Sequence, residues 1–307
     1  MGIACGMDIG TNSFRLLVAE VEDGRLHPLA HDRVTVRLGE GLGASGLIGP
    51  AAMMRGEAAL VRFAGKLVPY PLQSLRVCAT HAVRKAANRR DFLRMAEGVA
   101  GISIEVLSGE EEGRLVLLGA LSALPEALRG SPLVLVDVGG GSTEIILQGK
   151  GESEPHLISV GLGAIGLTEE FGGDLGAMGE KIRATLVPAL GSIGGREMVG
   201  QTSLLVASGG TATTLAALAL GLDRYDGLRV QNYHLSQGAL HRLVADLSAL
   251  SPGERNGLPG LGDGRGEIIV AGAMVLQEVQ QALASPDLLV SDGGLLEGIL
   301  LSGSMGR

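Results

Sequence analysis

Two short stretches of the chain place an aspartate, glycines and hydroxyl side chains at matching positions. Residues 8–15 read Asp-Ile-Gly-Thr-Asn-Ser-Phe-Arg and residues 137–144 read Asp-Val-Gly-Gly-Gly-Ser-Thr-Glu, so the aspartate, the first glycine and the serine recur at the same offsets. A glycine-rich turn between two strands exposes successive backbone N–H groups, which bind anions. The repeat therefore predicts two phosphate-binding turns, 129 residues apart, in two related domains that face each other across a cleft.

The side chains and amides of these turns supply the donors that phosphate oxygens need. A third glycine turn, residues 207–211, follows another apolar run and opens a helix, so it offers the donors of a helix N-terminus. The candidate phosphate-binding residues of the three turns are Asn12, Ser13, Arg15, Gly140, Gly141, Ser142, Thr143, Gly209, Gly210 and Thr211.

An aspartate next to a bound phosphate is unfavourable unless a cation lies between them. Mg²⁺ keeps several waters and takes few carboxylates, so Asp8 and Asp137 are candidate Mg²⁺ contacts. Each aspartate could instead cap its own turn through an Asx hydrogen bond. Both alternatives stay open for Asp8, whereas we favour the metal for Asp137.

The two stretches end on opposite charges. Arg15 suits bidentate contact with a phosphate, whereas Glu144 places a carboxylate at the equivalent position. A salt bridge between Arg15 and Glu144 is the structural alternative.

Charge is distributed unevenly along the chain. The formal net charge is −8, with +1 over residues 1–130 and −9 over residues 131–307. Within residues 76–94, six cations accompany a single acidic residue, which favours a site for a multivalent anion over a general nucleic-acid coat. A solvated basic helix face is the alternative.

Three consecutive glutamates, at 110–112, follow a predicted strand and begin a predicted helix. Acidic residues in the first turn of a helix stabilise it through the helix dipole. One of them could also serve as a base that activates water.

Apolar, β-branched runs alternate with segments of helical periodicity, which predicts an α/β architecture with mixed sheets. The prolines at 125 and 132 interrupt this pattern, and we place the domain boundary there, giving domains 1–125 and 126–307. The expected strands lie at 3–9, 14–21, 74–79, 102–107, 133–138, 144–147, 157–160, 204–207 and 288–291, and the expected helices at 51–67, 90–99, 110–122, 177–191, 211–220, 235–249, 266–284 and 294–302.

The composition excludes several classes of protein. Apolar residues make up 46% of the chain and exclude a disordered protein, while only seven aromatic residues argue against stacking platforms for single-stranded nucleic acid. Two cysteines are too few for a disulfide framework or a zinc site and favour a reducing, cytoplasmic setting. No run of 18 apolar residues exists, so we expect neither a transmembrane helix nor a membrane partner.

With these motifs in this order, the chain resembles the exopolyphosphatase / guanosine pentaphosphate phosphohydrolase (Ppx/GppA) family of the actin-like ATPase and sugar-kinase superfamily. The resemblance spans nearly the whole chain. The segments that carry it are 8–15, 79–88, 108–114, 137–144, 159–171, 207–211, 254–271 and 291–300.

The resemblance implies a fold and a reaction. It implies two ribonuclease-H-like domains flanking a cleft, and Mg²⁺-dependent hydrolysis of the terminal phosphoanhydride of polyphosphate or of guanosine pentaphosphate. It assigns the catalytic base to Glu112, metal and water-positioning roles to Asp137 and Glu144, and a phosphate clamp to Arg84. The use of Mn²⁺ in place of Mg²⁺ and a need for K⁺ are both left open. We also expect a homodimer and no C-terminal HD-type domain.

Two other functions stay open at this stage. One is an ATP-dependent kinase or ATPase of the same superfamily, in which Glu112 would only cap its helix. The other is a sensor that binds guanosine polyphosphates or polyphosphate without cleaving them. The presence of Glu112, Asp137 and Glu144 argues against the sensor, because binding alone requires no base.

Overall fold

The structure, a computed structural model, describes residues 2–152, 154–194, 203–262 and 264–304. The strands are β1 (Gly2–Ile9), β2 (Ser13–Glu22), β3 (Arg25–Thr35), β4 (Ser74–Ala79), β5 (Glu105–Val106), β6 (Leu133–Val138), β7 (Thr143–Gln148), β8 (His156–Val160), β9 (Leu204–Ser208), β10 (His234–Ser236) and β11 (Asp287–Val290). The helices are α1 (Leu42–Ser45), α2 (Pro50–Leu67), α3 (His81–Lys85), α4 (Arg89–Ala100), α5 (Gly109–Ala123), α6 (Ala164–Phe171), α7 (Leu175–Ser192), α8 (Gly209–Ala219), α9 (Gly227–Val230), α10 (Gln237–Ala249), α11 (Pro252–Asn256), α12 (Ile269–Ala282) and α13 (Leu295–Ser304).

The chain folds into two compact units. The first unit contains Met1–Ser122 together with Leu295–Arg307, and the second contains Ala123–Gly294. Each unit has one mixed sheet, in the order β3-β2-β1-β4-β5 in the first and β10-β11-β9-β6-β7-β8 in the second. The predicted α/β class with two mixed sheets is confirmed.

The two sheets share one topology. In the first unit β1, β2 and β3 form an antiparallel meander, and β4 and β5 add parallel to β1 on its other side. In the second unit β6, β7 and β8 form the meander, and β9 and β11 add parallel to β6. The sequence repeat at 8–15 and 137–144 therefore falls at the same place in both sheets, where the first strand of the meander turns into the second.

One face of the first sheet packs against α2 and α4. The rings of Phe14 on β2 and Phe92 on α4 meet edge to face, with centroids 6.3 Å apart. Gly56 on α2 leaves room for them, because a Cβ there would lie 3.1 Å from the Phe92 ring. Both phenylalanines are fully buried, and each contributes about 1.5–3 kcal/mol of hydrophobic stabilisation.

The other face of the first sheet is covered by α13. Leu296 and Leu300 of this helix form a buried apolar cluster with Ala4, Leu17 and Ala19. This helix was expected in a domain spanning 126–307, but the structure groups it with the first unit because its leucines are buried against β1 and β2.

A glycine allows α13 to approach α5 closely. A Cβ at Gly298 would lie 1.9 Å from the Leu115 carbonyl oxygen, so only glycine fits there. Through this contact α13 supports the helix that begins with the three glutamates.

None of the helices in the described part of the chain is long and apolar enough to cross a membrane.

Candidate active site

In the first unit, Asp8 lies at the end of β1 directly opposite Arg15 on β2. Arg15 donates to Asp8 Oδ2 through Nη2 at 2.7 Å and through Nε at 2.9 Å. The other carboxylate oxygen, Asp8 Oδ1, is buried and accepts no hydrogen bond from the residues that the structure describes. The Asp8 side chain is therefore held by Arg15 rather than by its own turn, with one oxygen available to a cation.

The first glycine turn is supported by the chain segment that follows β3. The Asn12 carbonyl accepts from the amides of Val36 and Arg37 at 3.0 and 2.8 Å, and the Thr11 carbonyl accepts from Gly39 at 3.0 Å. With its carbonyls bound on one side, the turn keeps a fixed shape around Asp8.

The three glutamates that begin α5 have three different environments. Glu110 is exposed and pairs with Arg114 one turn along the helix. Glu111 forms a reciprocal cap with Ser108, and these hydrogen bonds lower the pKa of its carboxyl group. Glu112 alone is buried, with 7% of its surface exposed. The structure thus separates one glutamate from two that stabilise the helix terminus.

Arg84, at the end of α3, holds the buried glutamate. Its Nη1 donates to Glu112 Oε2 at 2.8 Å and to the Leu107 carbonyl at 2.8 Å. The guanidinium thereby joins the end of the β5 segment to the first turn of α5. The structure gives Arg84 Nη1 a carboxylate partner within the protein, and the expected phosphate contact of Arg84 stays a prediction.

The basic segment 76–94 is largely neutralised by neighbouring carboxylates. Arg76 makes two hydrogen bonds of 3.0 Å to Glu105, Arg84 pairs with Glu112, and Arg94 pairs with Asp91. The remaining cations of the segment lie on the surface; they are Lys85, Arg89 and Arg90. The segment therefore presents a weaker positive electrostatic potential to an anion than its sequence predicts.

His81 begins α3 within the same segment. Burial, assisted by the nearby cations Arg84 and Lys85, lowers the pKa of this histidine to about 4. The imidazole is therefore neutral at physiological pH.

In the second unit, four polar residues form a row across four adjacent strands. Asp137 at the end of β6 lies directly opposite Glu144 on β7 and beside Ser208 on β9. Glu144 in turn lies opposite Ser159 on β8, whose hydroxyl donates to Glu144 Oε1 at 2.7 Å. Residues directly opposite each other share one face of a sheet, so the two carboxylates lie side by side.

The second glycine turn is supported in the same way as the first. The carbonyls of Gly139 and Gly140 accept from the amides of Ala164 and Ile165, in the first turn of α6, at 3.0 and 2.9 Å. A Cβ at Gly163 would lie 2.2 Å from the Gly141 Cα, so α6 can approach the turn only because both residues are glycines. The carbonyls of the turn are thus bound by α6.

The hydroxyl-bearing residues of the second turn differ in their environments. Thr143 is fully buried and its hydroxyl donates to the Leu162 carbonyl at 2.5 Å. The expectation that this hydroxyl binds phosphate is therefore corrected, because Thr143 shares a face of β7 with Ile145 and Leu147, which lie in the core. Ser142 is also buried, whereas Gly140 and Gly141 are partly exposed.

The third glycine turn lies against Asp137. Gly209 has φ +82°, and a Cβ there would lie 2.3 Å from Asp137 Oδ1. Arg265 donates to the Gly210 carbonyl at 2.8 Å, and the Thr211 hydroxyl donates to the Val138 carbonyl at 3.3 Å. The side chain of Thr211 is thus bound within the protein, and the glycine at 209 makes space for the aspartate.

The chemistry around Asp137 suits a small, hard cation. Two buried carboxylates, Asp137 and Glu144, lie on opposed strands with 8% and 3% of their surfaces exposed. The neighbouring Ser208 hydroxyl is buried and has no hydrogen-bond partner among the described residues. Nowhere in the described part of the chain do three or more His, Cys, Asp or Glu side chains form a metal-binding group. Mg²⁺ needs only one or two carboxylates besides water, so the residues present fit it.

The comparisons with known proteins agree with this arrangement. The sequence pattern of the Ppx/GppA phosphatase family matches residues 17–305. The chain belongs to this family. This chain is 34% identical to exopolyphosphatase 2 of Mycobacterium tuberculosis over 317 aligned positions. The alignment covers 96% of this chain and 97% of that protein.

Solved structures of Ppx/GppA proteins have the same fold. The exopolyphosphatase of Cytophaga hutchinsonii superposes with a TM-score of 0.86 at 26% identity, over 98% of each chain. The Ppx/GppA family member of Aquifex aeolicus superposes with a TM-score of 0.78 at 26% identity, over 99% of this chain and 98% of that one. The predicted resemblance and the actin-like ATPase fold of this Ppx/GppA chain are confirmed.

Two residues of the second unit, Ser159 and Ser208, received no role from the sequence. Strand pairing places Ser159 opposite Glu144 and Ser208 beside Asp137. The duplicated meander was a signal that could have found Ser159, since it fixes which residue of the third strand lies opposite Glu144.

Proposed function

We propose that this Ppx/GppA protein is a Mg²⁺-dependent exopolyphosphatase that hydrolyses the terminal phosphoanhydride of inorganic polyphosphate and releases orthophosphate. The observation that carries the proposal is the buried Glu112, which is separated from Glu110 and Glu111 and held by Arg84 at 2.8 Å. Family membership and the 34% identity to an exopolyphosphatase support the reaction class.

Glu112 is the proposed general base. Its neighbours in sequence are engaged as a surface ion pair and as a helix cap, which leaves Glu112 as the carboxylate available to take a proton from water. The water's oxygen then attacks the terminal phosphorus, the bond to the bridging oxygen breaks, and the shortened chain leaves as an anion. A positioned general base typically contributes about 10²- to 10⁴-fold to a rate.

In the second unit, Asp137 and Glu144 would hold Mg²⁺. In the first unit, Asp8 is a separate candidate contact for a cation through its buried Oδ1. When bound, Mg²⁺ would offset the charge of the phosphate oxygens and of the leaving group. Ser159 fixes the orientation of Glu144 by donating to its Oε1.

The glycine turns would bind the phosphates. Gly140 and Gly141 present their backbone to solvent while α6 holds the carbonyls of the turn, which leaves amide donors for an anion. In the first unit Asn12, Ser13 and Arg15 would bind a phosphate, with Arg15 already fixed by Asp8.

The proposal extends to guanosine pentaphosphate, whose terminal phosphoanhydride is chemically equivalent. The same residues would cleave it, and the family name supports this second substrate. We further propose a homodimer, which light scattering on the purified protein would test.

Phosphate release from short polyphosphate, long polyphosphate, guanosine pentaphosphate and ATP, each with and without Mg²⁺, tests the proposal. We expect Mg²⁺-dependent release from polyphosphate and little from ATP. Release from ATP alone would instead support an ATPase, and tight binding of guanosine pentaphosphate without release from any substrate would support a sensor.

A further inference from the structure

The outward face of α2 is apolar. The residues that this helix buries recur at helical spacing and lie on one side of it; they are Ala52, Gly56, Ala59, Leu60 and Phe63. The opposite side carries a row of exposed residues at alternating intervals of three and four, ending just after the helix; they are Ala51, Met54, Ala58, Val61, Gly65 and Val68. A surface helix normally turns charged or polar residues to water on the side opposite its buried one. Helix α2 instead has two apolar sides.

The larger side chains of this outward face are well exposed. Met54, Val61 and Val68 have 65%, 51% and 82% of their surfaces exposed to solvent. The residues between them on the face are alanine or glycine, which allow the backbone of another helix to approach closely. A contiguous exposed apolar face with charged residues at its edges is typical of a protein interaction surface.

The spacing of the outward face is that of a helix that pairs with a helix. Alternating intervals of three and four average 3.5 residues, the repeat of the contact seam in a coiled coil. Helix α2 has 18 residues and is therefore roughly 27 Å long. A free helix of this length is marginal in water, but α2 is already held against the first sheet by its buried side. A partner helix would meet a face that is already formed.

The charges at the edges of the face fit a second copy of the same helix. In two parallel paired helices, a residue at one edge of the seam lies beside the residue five positions further along the partner. Glu57 and Arg62 are five positions apart and lie at opposite edges of the face. Glu57 of each copy would therefore meet Arg62 of the other. Antiparallel pairing would instead bring each edge against the same edge of the other copy, with like charges together.

The ion pairs within the first unit leave a positive charge at the Arg62 edge. Arg62 and Lys66 share the single carboxylate of Asp32, at 2.8 and 3.1 Å. Two cations with one carboxylate leave one positive charge, and the Arg62 side chain is 60% exposed. Glu57 of a second copy would neutralise that charge without breaking the Asp32 pairs.

We propose that α2 forms the interface of a homodimer, in which two copies pack their outward faces in parallel with Glu57 of each beside Arg62 of the other. Such an interface is isologous, because both subunits use the same patch. The inference rests on the homodimer given under the proposed function and adds to it the interface, the orientation of the helices and the charge pairs. It requires nothing of the hydrolytic reaction.

Sedimentation velocity over a range of protein concentrations tests the interface. Val61→Glu places a charge in the middle of the apolar seam and should raise the dissociation constant of the dimer at least about tenfold. Leu228→Glu is the matched control, because Leu228 is 93% exposed and lies on α9 of the second unit. This control should sediment like the native protein.

Exchanging the two edge charges tests the pairing itself. Glu57→Lys and Arg62→Glu each bring like charges together and should each raise the dissociation constant about threefold or more. The protein with both changes has the charges exchanged, so its dissociation constant should return to within about twofold of native. A combined variant weaker than either single variant would overturn the parallel pairing.

A cysteine cross-link tests the orientation in a chain with no charge in the seam. In a parallel pair position 51 of one copy meets position 51 of the other, whereas in an antiparallel pair it meets the far end of the partner helix. Ala51→Cys should therefore give a disulfide-linked dimer on a non-reducing gel after treatment with oxidised glutathione, which takes up the two electrons. The native Cys5 and Cys78 are buried and should not react. Leu228→Cys should stay monomeric on the same gel.

The outcomes separate this interface from the other proposals. A dimer that persists in Val61→Glu, with no cross-link in Ala51→Cys, would overturn the α2 interface and leave the homodimer to another face. A native chain that stays monomeric at every concentration would overturn both. Phosphate release is measured separately, so neither result decides whether the protein is a hydrolase.

Discussion

Arg84 Nη1 lies 2.8 Å from Glu112 Oε2, and the same nitrogen donates to the Leu107 carbonyl. The two side chains are mostly buried, with 19% and 9% of their surfaces exposed. A buried guanidinium with a carboxylate and a carbonyl as partners fixes where that carboxylate points. The relationship makes Arg84 a positioning residue for the proposed base, while the phosphate clamp expected from the sequence stays a prediction.

Arg84→Ala should therefore lower kcat by about tenfold or more while leaving KM for polyphosphate nearly unchanged, because misplacing a catalytic group costs rate rather than binding. Steady-state kinetics with polyphosphates of several lengths would measure the changes in kcat and KM separately. Lys85→Ala, which removes the exposed neighbouring cation, is the control. A rise in KM at constant kcat would restore the phosphate-clamp role.

Glu112→Gln should reduce kcat by roughly 10²- to 10⁴-fold, because the amide cannot accept a proton from water. Binding should stay close to native, since the amide has nearly the same shape. Glu110→Gln provides the control, because Glu110 is exposed and paired only with Arg114. Full activity in the Glu112 variant would move the base to another carboxylate.

Asp137→Asn should raise the Mg²⁺ concentration needed for half-maximal activity and lower the maximal rate, because one charged ligand is lost. A titration of Mg²⁺ against phosphate release would show both effects. Asp174→Asn, which alters only an exposed helix cap, should titrate like the native enzyme. Full activity of chelator-treated native protein would contradict the metal assignment.

Gly163→Ala should distort the second glycine turn. Its Cβ would meet the Gly141 Cα at 2.2 Å, and backbone atoms cannot rotate out of the way. We expect a loss of about 1–3 kcal/mol in the free energy of unfolding, together with reduced kcat/KM. Gly161→Ala is the matched control, because nothing lies within 4 Å of its added methyl group. If Gly163→Ala and Gly161→Ala have the same free energy of unfolding and the same kcat/KM, α6 does not shape the turn.

His81 should make stability depend on pH in the weakly acidic range. The folded state lowers the pKa of His81 from 6.5 to about 4, so the unfolded state binds a proton in this range that the folded state does not. The free energy of unfolding should therefore fall as pH decreases from about 6.5 to 4, with no contribution from His81 above that range. Denaturant unfolding of His81→Gln at several pH values should show a shallower decline, whereas His241→Gln, which changes an exposed histidine, should follow the native curve.

Much of the fold follows from local patterns in the sequence. The strands at 74–79 and 133–138 were predicted at their observed bounds, because both lie inside their sheets and are rich in apolar residues. In contrast, β3 was not predicted. It reads Arg-Leu-His-Pro-Leu-Ala-His-Asp-Arg-Val-Thr, lies at the edge of its sheet and has a bulge next to Pro28, so no apolar alternation survives.

In the candidate site, too, local sequence patterns predict some residues, whereas others depend on contacts between distant parts of the chain. The glycine turns and the glutamate run are contiguous in sequence, and local reasoning predicts them. The partner of Arg84 could not be found this way, because Glu112 is 28 residues distant and is reached only through the packing of α3 against the start of α5. Ser159 lies 15 residues from Glu144, so its place opposite Glu144 depends on the strand register.

The assignment of α13 to the first unit also affects how the protein is made. The strands that bear Ala4, Leu17 and Ala19 are synthesised first, yet the helix that buries them is translated only after residues 123–294 of the second unit. The second unit is contiguous and has all of its strands by then, so it is the unit able to complete its core first. Domains usually fold in the order in which the ribosome releases them. Here the first unit cannot complete its core in that order, because the face of its sheet that α13 covers stays open until α13 has been translated.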